Sequence, residues 1–549
     1  MNVKRKKADL WTGVSIFLMI LLVIFLIYPL VNLLRQSVIK DGKFTLSAFQ
    51  TFFGQSYYWG SVINSVKIAV CVTALSLLLG IPFSYFYSFT KLKGRKLLFI
   101  LCLLCTMSAP FIGAYAWILL MGNSGLITGV LKSIGIKGFS IYGFWGIVLV
   151  QSLKLFPLVV IYMNGAFRDI DNSLMEAAES MGCKGIKRFF RVIMSLTMPT
   201  ILAAALLVFM RSFADFGTPV LIGRGYSTFP VLIYNQYLGE NGSDYHFAAA
   251  ISVIAVLVTA AIFIIQKVAT SKFKFTINAL HPIEPKESKG VSGVLKHVFC
   301  YLLVGISLLP QLYIVNMSFR NYTNSILKPG YSLINYQTAL EKNLFTSMSN
   351  TLIISFVTLA VIIVVAVLIA YLVVRRGNLF NNSIDTISML PYIMPGGVIG
   401  ISLIISFSKK PYALTGTLMI MIIALVIRRM PFTSRSATAA MMKIPMSIEE
   451  ASLSLGASKS KTFLGITVPM MSSGIISGAV LSWVSIITEM SSGLILYNNR
   501  TITLTISTYA AITGGTYGVA AVFATITLVF TIICLVVYLK FTKAEDIKM

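Results

Sequence analysis

Runs of about twenty or more apolar residues recur along this 549-residue chain, and no other feature restricts its fold so tightly. In hydrocarbon every backbone N–H and C=O must find a partner within the protein, so a span of that length closes its own bonds as an α-helix, about 30 Å long at 1.5 Å per residue. The runs fall at roughly 11–34, 59–89, 97–121, 143–165, 197–214, 246–266, 298–319, 347–374, 384–407, 414–432, 467–488 and 517–539. They predict an all-α integral membrane protein with about twelve transmembrane helices. With 57% hydrophobic and 11% charged residues, a water-soluble fold would leave many such runs exposed. The first run follows Lys4, Arg5, Lys6 and Lys7 as a signal peptide would, but Trp11 to Leu34 is long enough to span and no small-residue cleavage site follows, so it reads as a first transmembrane helix.

Charge then orients the chain. Its 45 Lys+Arg against 18 Asp+Glu give +27, which in a soluble protein would suggest nucleic acid. No nucleic-acid motif accompanies the basic residues here, and few aromatics interleave with them. They gather instead in alternate loops, among them Lys91 to Lys96, Lys184 to Arg191, Lys267 to Lys296, Arg375–Arg376 and Lys459–Lys461. By the positive-inside rule those loops and both termini are cytoplasmic, in a multi-pass protein of the cell membrane bounded by lipid. Six cysteines, five of them in apolar runs, imply no disulfide framework, and Cys102-x-x-Cys105 reads as helix packing. His246, His281 and His297 are scattered, so no His-based metal site is expected.

The polar stretch 267–297 lies at the midpoint and reads as a cytoplasmic linker between residues 1–266 and 298–549. An internal repeat supports that division. Shifting by 274 superposes Ser173 on Ser447, Glu176 on Glu450, Gly182 on Gly456 and Phe189 on Phe463, and also pairs Lys154 with Arg428, Pro157 with Pro431 and Asp215 with Glu489. The spans divide as six plus six. Within the loops at about 164–199 and 436–470, Ser173-x-x-Glu176 and Ser447-x-x-Glu450 match capping boxes, so each predicts a short helix starting at its serine. Gly182 and Gly456 end those helices in a left-handed turn, and Ala177, Ala178 and Ala451 give a smooth face for a partner's cleft.

On these residues the chain resembles permease subunits of binding-protein-dependent ABC importers of the type I fold. Glu176-Ala177-Ala178 followed by Gly182, and Glu450-Ala451-Ser452 followed by Gly456, are similar to that family's coupling-loop signature, with Cys183, Ser195 and Ser452 as mild departures. The resemblance covers essentially the whole chain as two fused six-helix permease domains. It implies two copies of a separate ABC ATPase subunit that bind ATP and Mg and dock on the loops, and an extracytoplasmic solute-binding protein. No G-x-x-x-x-G-K-[ST] phosphate loop occurs, so the chain itself is expected to bind no cofactor and to be a transporter subunit without enzymatic activity.

Charges inside spans are costly, which singles out Lys67, Lys154, Arg211, Asp215, Arg428 and Glu489. Arg211 and Asp215, four apart, would share a helix face and neutralise each other or contact substrate. Asp215 and Glu489 would bring paired acids to the outer mouth of the path, favouring a cation. Lys154 and Arg428 would snorkel to the interface. Phe213-Ala214-Asp215-Phe216-Gly217 is similar to a segment of ferric-iron permeases, which puts ferric iron first among cargoes. Glu489-Met490-Ser491 departs from that pattern and leaves thiamine, polyamine and 2-aminoethylphosphonate open. Tyr226, Tyr234, Tyr237 and Tyr245 read as interface anchors rather than iron ligands. A secondary transporter with two six-helix repeats fits the span count equally well.

Overall fold

The long apolar runs form helices in the computed structural model, which describes residues 10–107, 110–135, 140–238, 244–272, 283, 285–288, 290–323, 326–411 and 413–541. The basic cluster Lys4 to Lys7, His281-Pro282, Glu284, Lys289, Lys543 and Lys548 lie outside them. Among the described residues nine helices are long and apolar enough to cross a membrane, from Leu10–Val38 to Tyr517–Val537. Two bent pairs, Leu379–Ile393 with Gly396–Phe407 (112°) and Lys459–Met470 with Ser472–Ile487 (68°), raise the number to eleven if each is one span. The tenth apolar run is the helix Leu418–Met442, which carries Arg428, Arg429 and Arg435. The sharper break has a local cause: Met394 precedes Pro395 and takes extended backbone (φ −88°, ψ 133°), as the clash with a following proline ring requires.

The repeat is visible element by element. Phe144–Arg168, Asn172–Ser180, Gly185–Arg188 and the π-helical turn Phe189–Ile193 map by 274 residues onto Leu418–Met442, Met446–Ser454, Lys459–Thr462 and the π-helical turn Phe463–Thr467, with the same ends. Upstream the offset is larger, since Pro110–Met121 corresponds to Gly396–Phe407 at 286. The first half is longer between these points: 22 residues separate Met121 from Phe144, whereas 10 separate Phe407 from Leu418, and the extra length includes the short helix Leu126–Ser133. Each half also has a small antiparallel ribbon after its first long helix, Ile39–Lys40 with Lys43–Phe44 and Arg320–Thr323 with Ile326–Tyr331.

The halves exchange their first helices. Leu10–Val38 packs on Leu379–Ile393 and Gly396–Phe407 of the second half, where Asn32 Nδ2 donates to Ser406 Oγ at 3.0 Å. Gly290–Ser318 packs on Arg95–Met107 and Pro110–Met121 of the first. Trp11 seals one contact, its ring centroid 4.2 Å from that of Tyr371 and 4.8 Å from that of Phe463. Helices extend into both ends of the polar linker, to Lys272 and from Gly290, and Lys286 pairs with the end of helix Ser56–Phe89: its N–H donates to Phe89 O and its carbonyl accepts from Lys91 N–H, each at 3.0 Å. Leu78, Leu257, Leu312 and Phe345 are left exposed, a surface that hydrocarbon accepts and water does not.

Close helix pairs depend on missing side chains. A Cβ on Gly80 would lie 2.6 Å from Val159 Cβ, and one on Gly478 would lie 2.7 Å from Thr433 Cα. Gly80→Leu should therefore force helices Ser56–Phe89 and Phe144–Arg168 apart at a cost of about 1–3 kcal/mol. The check is the thermal unfolding midpoint of the detergent-solubilised chain, expected to fall for Gly80→Leu and to stay unchanged for Gly60→Leu, where the space is open.

Candidate functional site

A cavity of about 270 Å³ opens between Phe144–Arg168 and Met194–Phe213 of the first half and Leu418–Met442 and Ser472–Ile487 of the second. Much of its wall comes in pairs 274 residues apart, including Lys154 with Arg428, Leu155 with Arg429, Arg211 with Ser485 and Asp215 with Glu489. The cavity thus sits where the two copies face each other. Lys154 and Arg428 are each the eleventh residue of their helices, about 15 Å along the axis and so near the middle of a bilayer core about 30 Å thick.

Its electrostatics follow from an unequal sharing of partners. Glu489 is buried, and its two oxygens form ion pairs with Arg428 Nη1 and Arg429 Nη2. Oε1 also accepts from Ser491 Oγ at 2.8 Å and from Ser492 N–H at 3.1 Å. Among the described residues the hydrogen-bond donors to Asp215 are neutral: Gln151 Nε2 donates to Oδ2 at 3.0 Å and Gly217 N–H to Oδ1 at 3.1 Å. Arg211 is exposed to the cavity, its guanidinium 5.2 Å from the ring centroid of Phe432. Among the described residues neither Arg211 nor Lys154 has an ion-pair partner. Among the described residues of the wall, four cations face two carboxylates.

Three expectations are corrected by this arrangement. Arg211 and Asp215 do not pair across a helix face, because the helix ends at Phe213 and Asp215 folds back to cap the turn at Gly217. Asp215 and Glu489 do not form an acidic mouth, because two guanidiniums saturate Glu489. Lys154 and Arg428 do not snorkel; they line the cavity from mid-helix. Arg429 was missed, although an Arg-Arg pair within an apolar run is the signal that could have found it. Lys67 is exposed and does not line the cavity. The tyrosines pack separately, Tyr226 on Phe144, Tyr234 on Phe216 and Tyr237 on Tyr245. No group of three His, Cys, Asp or Glu side chains that could hold a metal ion occurs among the described residues. Cys102 and Cys105 are buried in the apolar core of the first half.

The matched loops share one geometry. Helix Asn172–Ser180 ends as Gly182 N–H donates to Glu179 O at 2.9 Å and Cys183 N–H to Ala178 O at 2.8 Å. In Met446–Ser454 the same pair is Gly456 N–H to Leu453 O at 3.0 Å and Ala457 N–H to Ser452 O at 3.1 Å. Both are Schellman turns, and φ is +77° at Gly182 and +89° at Gly456, a conformation that strains any side chain. The starts differ from the capping-box expectation. Asp171 caps the first helix by accepting from Ser173 N–H at 2.9 Å, and Pro445 precedes the second, so Ser173 and Ser447 lie inside the first turn.

Glu176, Ala177, Glu450 and Ala451 are exposed, while Ala178 and Ser452 turn inward, which narrows the expected smooth face. Ser452 Oγ lies 2.9 Å from Thr462 Oγ1 and joins the two arms of the second loop. Each tip carries an apolar side chain in the open, Met181 at 87% and Leu455 at 89% exposure. The inner faces are anchored differently: Met175 is buried with Phe167 and Ile170, whereas Glu449 accepts from Arg375 Nε at 2.9 Å in a buried ion pair. Arg375 Nη2 also donates to Ile444 O at 2.7 Å.

The family model for binding-protein-dependent transport system inner membrane components matches residues 3–274 and 362–542. The chain belongs to this family. The Ferric transport system permease protein of Actinobacillus pleuropneumoniae is 27% identical over 535 residues, covering 94% of this chain and 76% of that protein. A Salmonella typhimurium protein, "Putative 2-aminoethylphosphonate transport system permease protein", is 26% identical over 251 residues, covering 45% of this chain and 87% of its own. A solved bacterial ABC transporter for alginate covers 48% of this chain at 20% identity and a TM-score of 0.40. This inner membrane component is a multi-pass protein with two tandem copies of one permease unit.

Two outcomes follow for this permease. Glu489→Gln should leave two guanidiniums facing each other and cost about 3–5 kcal/mol, the usual result of breaking a buried pair from one side. Thermal unfolding is expected to show the loss, with partial recovery when Arg429→Met is added. Glu449→Gln should free the second loop helix, raising amide hydrogen exchange across 446–454 by roughly tenfold or more while 172–180 stays unchanged.

Proposed function

We propose that this chain forms the complete translocation path of an ATP-driven importer, with both termini and both loops cytoplasmic. Each loop would dock in a groove of one of two copies of a separate ABC ATPase subunit, which binds ATP and Mg and hydrolyses it. An extracytoplasmic binding protein would deliver the solute. The observation that carries this reading is the pair of exposed loops with matched Schellman turns, Glu176, Ala177, Ala178 and Gly182 in one and Glu450, Ala451, Ser452 and Gly456 in the other. Two solvent-facing helices with bare apolar tips, 274 residues apart, suit two identical partners. The residues of the path on this reading are Asp215, Glu489 and Arg211, all in the cavity wall.

Ferric iron is the cargo favoured by the names of the relatives aligned over most of the chain. A second reading has its own support. Four cations against two carboxylates in the wall favour an organic phosphonate, like the solute named for the half-length Salmonella relative.

The test uses proteoliposomes holding the chain with its ATPase and binding protein. Gly182→Val with Gly456→Val strains two left-handed turns at about 1–2 kcal/mol each and touches no neighbour. Ferric iron uptake should fall at least roughly tenfold while the chain stays in the membrane and ATP is still hydrolysed. Normal uptake by the double variant would refute the coupling role. Uptake driven by an ion gradient without any ATPase would support the secondary-transporter alternative instead.

A further inference from the structure

We infer that the central cavity is an oxyanion site, built to pass a small solute that presents phosphonate, phosphate or carboxylate oxygens and carries net negative charge. The inference rests on the permease reading only for the direction of movement. Its first support is the uneven balance of charge. Lys154, Arg211, Arg428 and Arg429 face Asp215 and Glu489, which leaves two positive charges uncompensated near mid-depth, where unpaired charge is costly.

The second support is the set of donors left over. Glu489 engages one nitrogen of Arg428 and one of Arg429, yet a guanidinium carries five N–H bonds. Among the described residues the buried Nε–H of Arg429 has no acceptor, and Arg211 and Lys154 have no ion-pair partner. Planar forks of this kind match the paired oxygens of a carboxylate or phosphonate. At about 270 Å³ the cavity lies just under the roughly 300–1,000 Å³ of pockets for drug-sized ligands, which suits a small solute.

The third support is how the carboxylates are used. Glu489 is held by two arginines and two serines, which offset its charge, and Asp215 accepts a neutral hydrogen bond on each oxygen, so among the described residues one carboxylate alone is left to meet a bare cation in a wall of four cationic side chains. Glu489 is a positioning residue that fixes the separation of Arg428 and Arg429. A ferric ion would enter this cavity only inside a complex whose oxyanion ligands outweigh its charge.

Charge-selective alkylation tests the sign of the cavity directly. Ser485 stands opposite Arg211 in the repeat and lines the wall. With the six native cysteines replaced by alanine, Ser485→Cys is placed in the full chain, assembled with its ATPase in nanodiscs, without and with ATP. A negatively charged methanethiosulfonate reagent should react roughly tenfold or more faster than a positively charged one, each normalised to a neutral reagent. Arg211→Gln with Lys154→Gln should abolish or reverse that ratio.

Two protection arms separate the sources of the oxyanion. Slowing by methylphosphonate alone assigns a free organic anion, and slowing by ferric citrate alone assigns a metal complex. Faster reaction of the cationic reagent would overturn the inference, as would no reaction with any reagent in either state or an unchanged ratio in the double variant. None of these readings measures uptake, and each compares reagents within one state, so failure here leaves the importer reading to the test of its loops.

Discussion

A carboxylate near the middle of a membrane is costly unless its charge is offset, and in this chain Glu489 is paired twice. The grip of Arg428 and Arg429 on one buried acid fixes the wall of the central cavity. It also explains the divergence of the two repeats. At the equivalent place the first half holds Asp215 with the neutral Gln151 and a backbone N–H, and among the described residues Lys154 makes no ion pair. Two copies of one design therefore make a cavity that is symmetric in backbone and asymmetric in charge. Its positive excess comes from positions where one copy is charged and the other is not: Arg211 faces Ser485, and Arg429 faces Leu155.

The same repeat builds the opposite surface. Both loops end their first helix at a left-handed glycine and present a bare apolar tip, but the route from each loop to the membrane helices differs. In the second half the buried pair of Glu449 with Arg375 ties the loop helix to the end of Leu344–Arg375, whereas in the first half Met175 is buried against Phe167 and Ile170. Exchange of the first helices locks the halves together, with Trp11 of one wedged against Tyr371 and Phe463 of the other. The first loop is anchored in an apolar core that also holds Cys300, Leu303 and Val304 of the second half, and the second loop in a separate core that also holds Trp11 of the first, so each loop is contiguous with the opposite half, a spatial argument for the coupling that the importer reading requires.

Features set by local chemistry were legible in the sequence. Apolar run length predicted the helices, one offset predicted the repeat, and Gly182 and Gly456 predicted the left-handed ends. Helix starts were less so: Asp171 rather than Ser173 is the cap, because two acceptors two residues apart compete and the sequence does not rank them. The partners of charges were not legible at all. Arg211 and Asp215 looked like an i,i+4 pair only if the helix continued, and it stops at Phe213. The pairing of Glu489 with two arginines about sixty residues upstream is tertiary, as is the exchange of first helices. Residue type pointed to the right positions, and the balance among them required the fold.

On the proposed importer reading, this membrane component docks two copies of an energy-supplying subunit, one on each loop. Native mass spectrometry of the complex purified through this chain tests it most directly. The expected complex holds one copy of this chain with two copies of a single nucleotide-hydrolysing subunit, falling to none when Met181→Asp and Leu455→Asp are combined. A chain that purifies alone and accumulates solute from an ion gradient would contradict it.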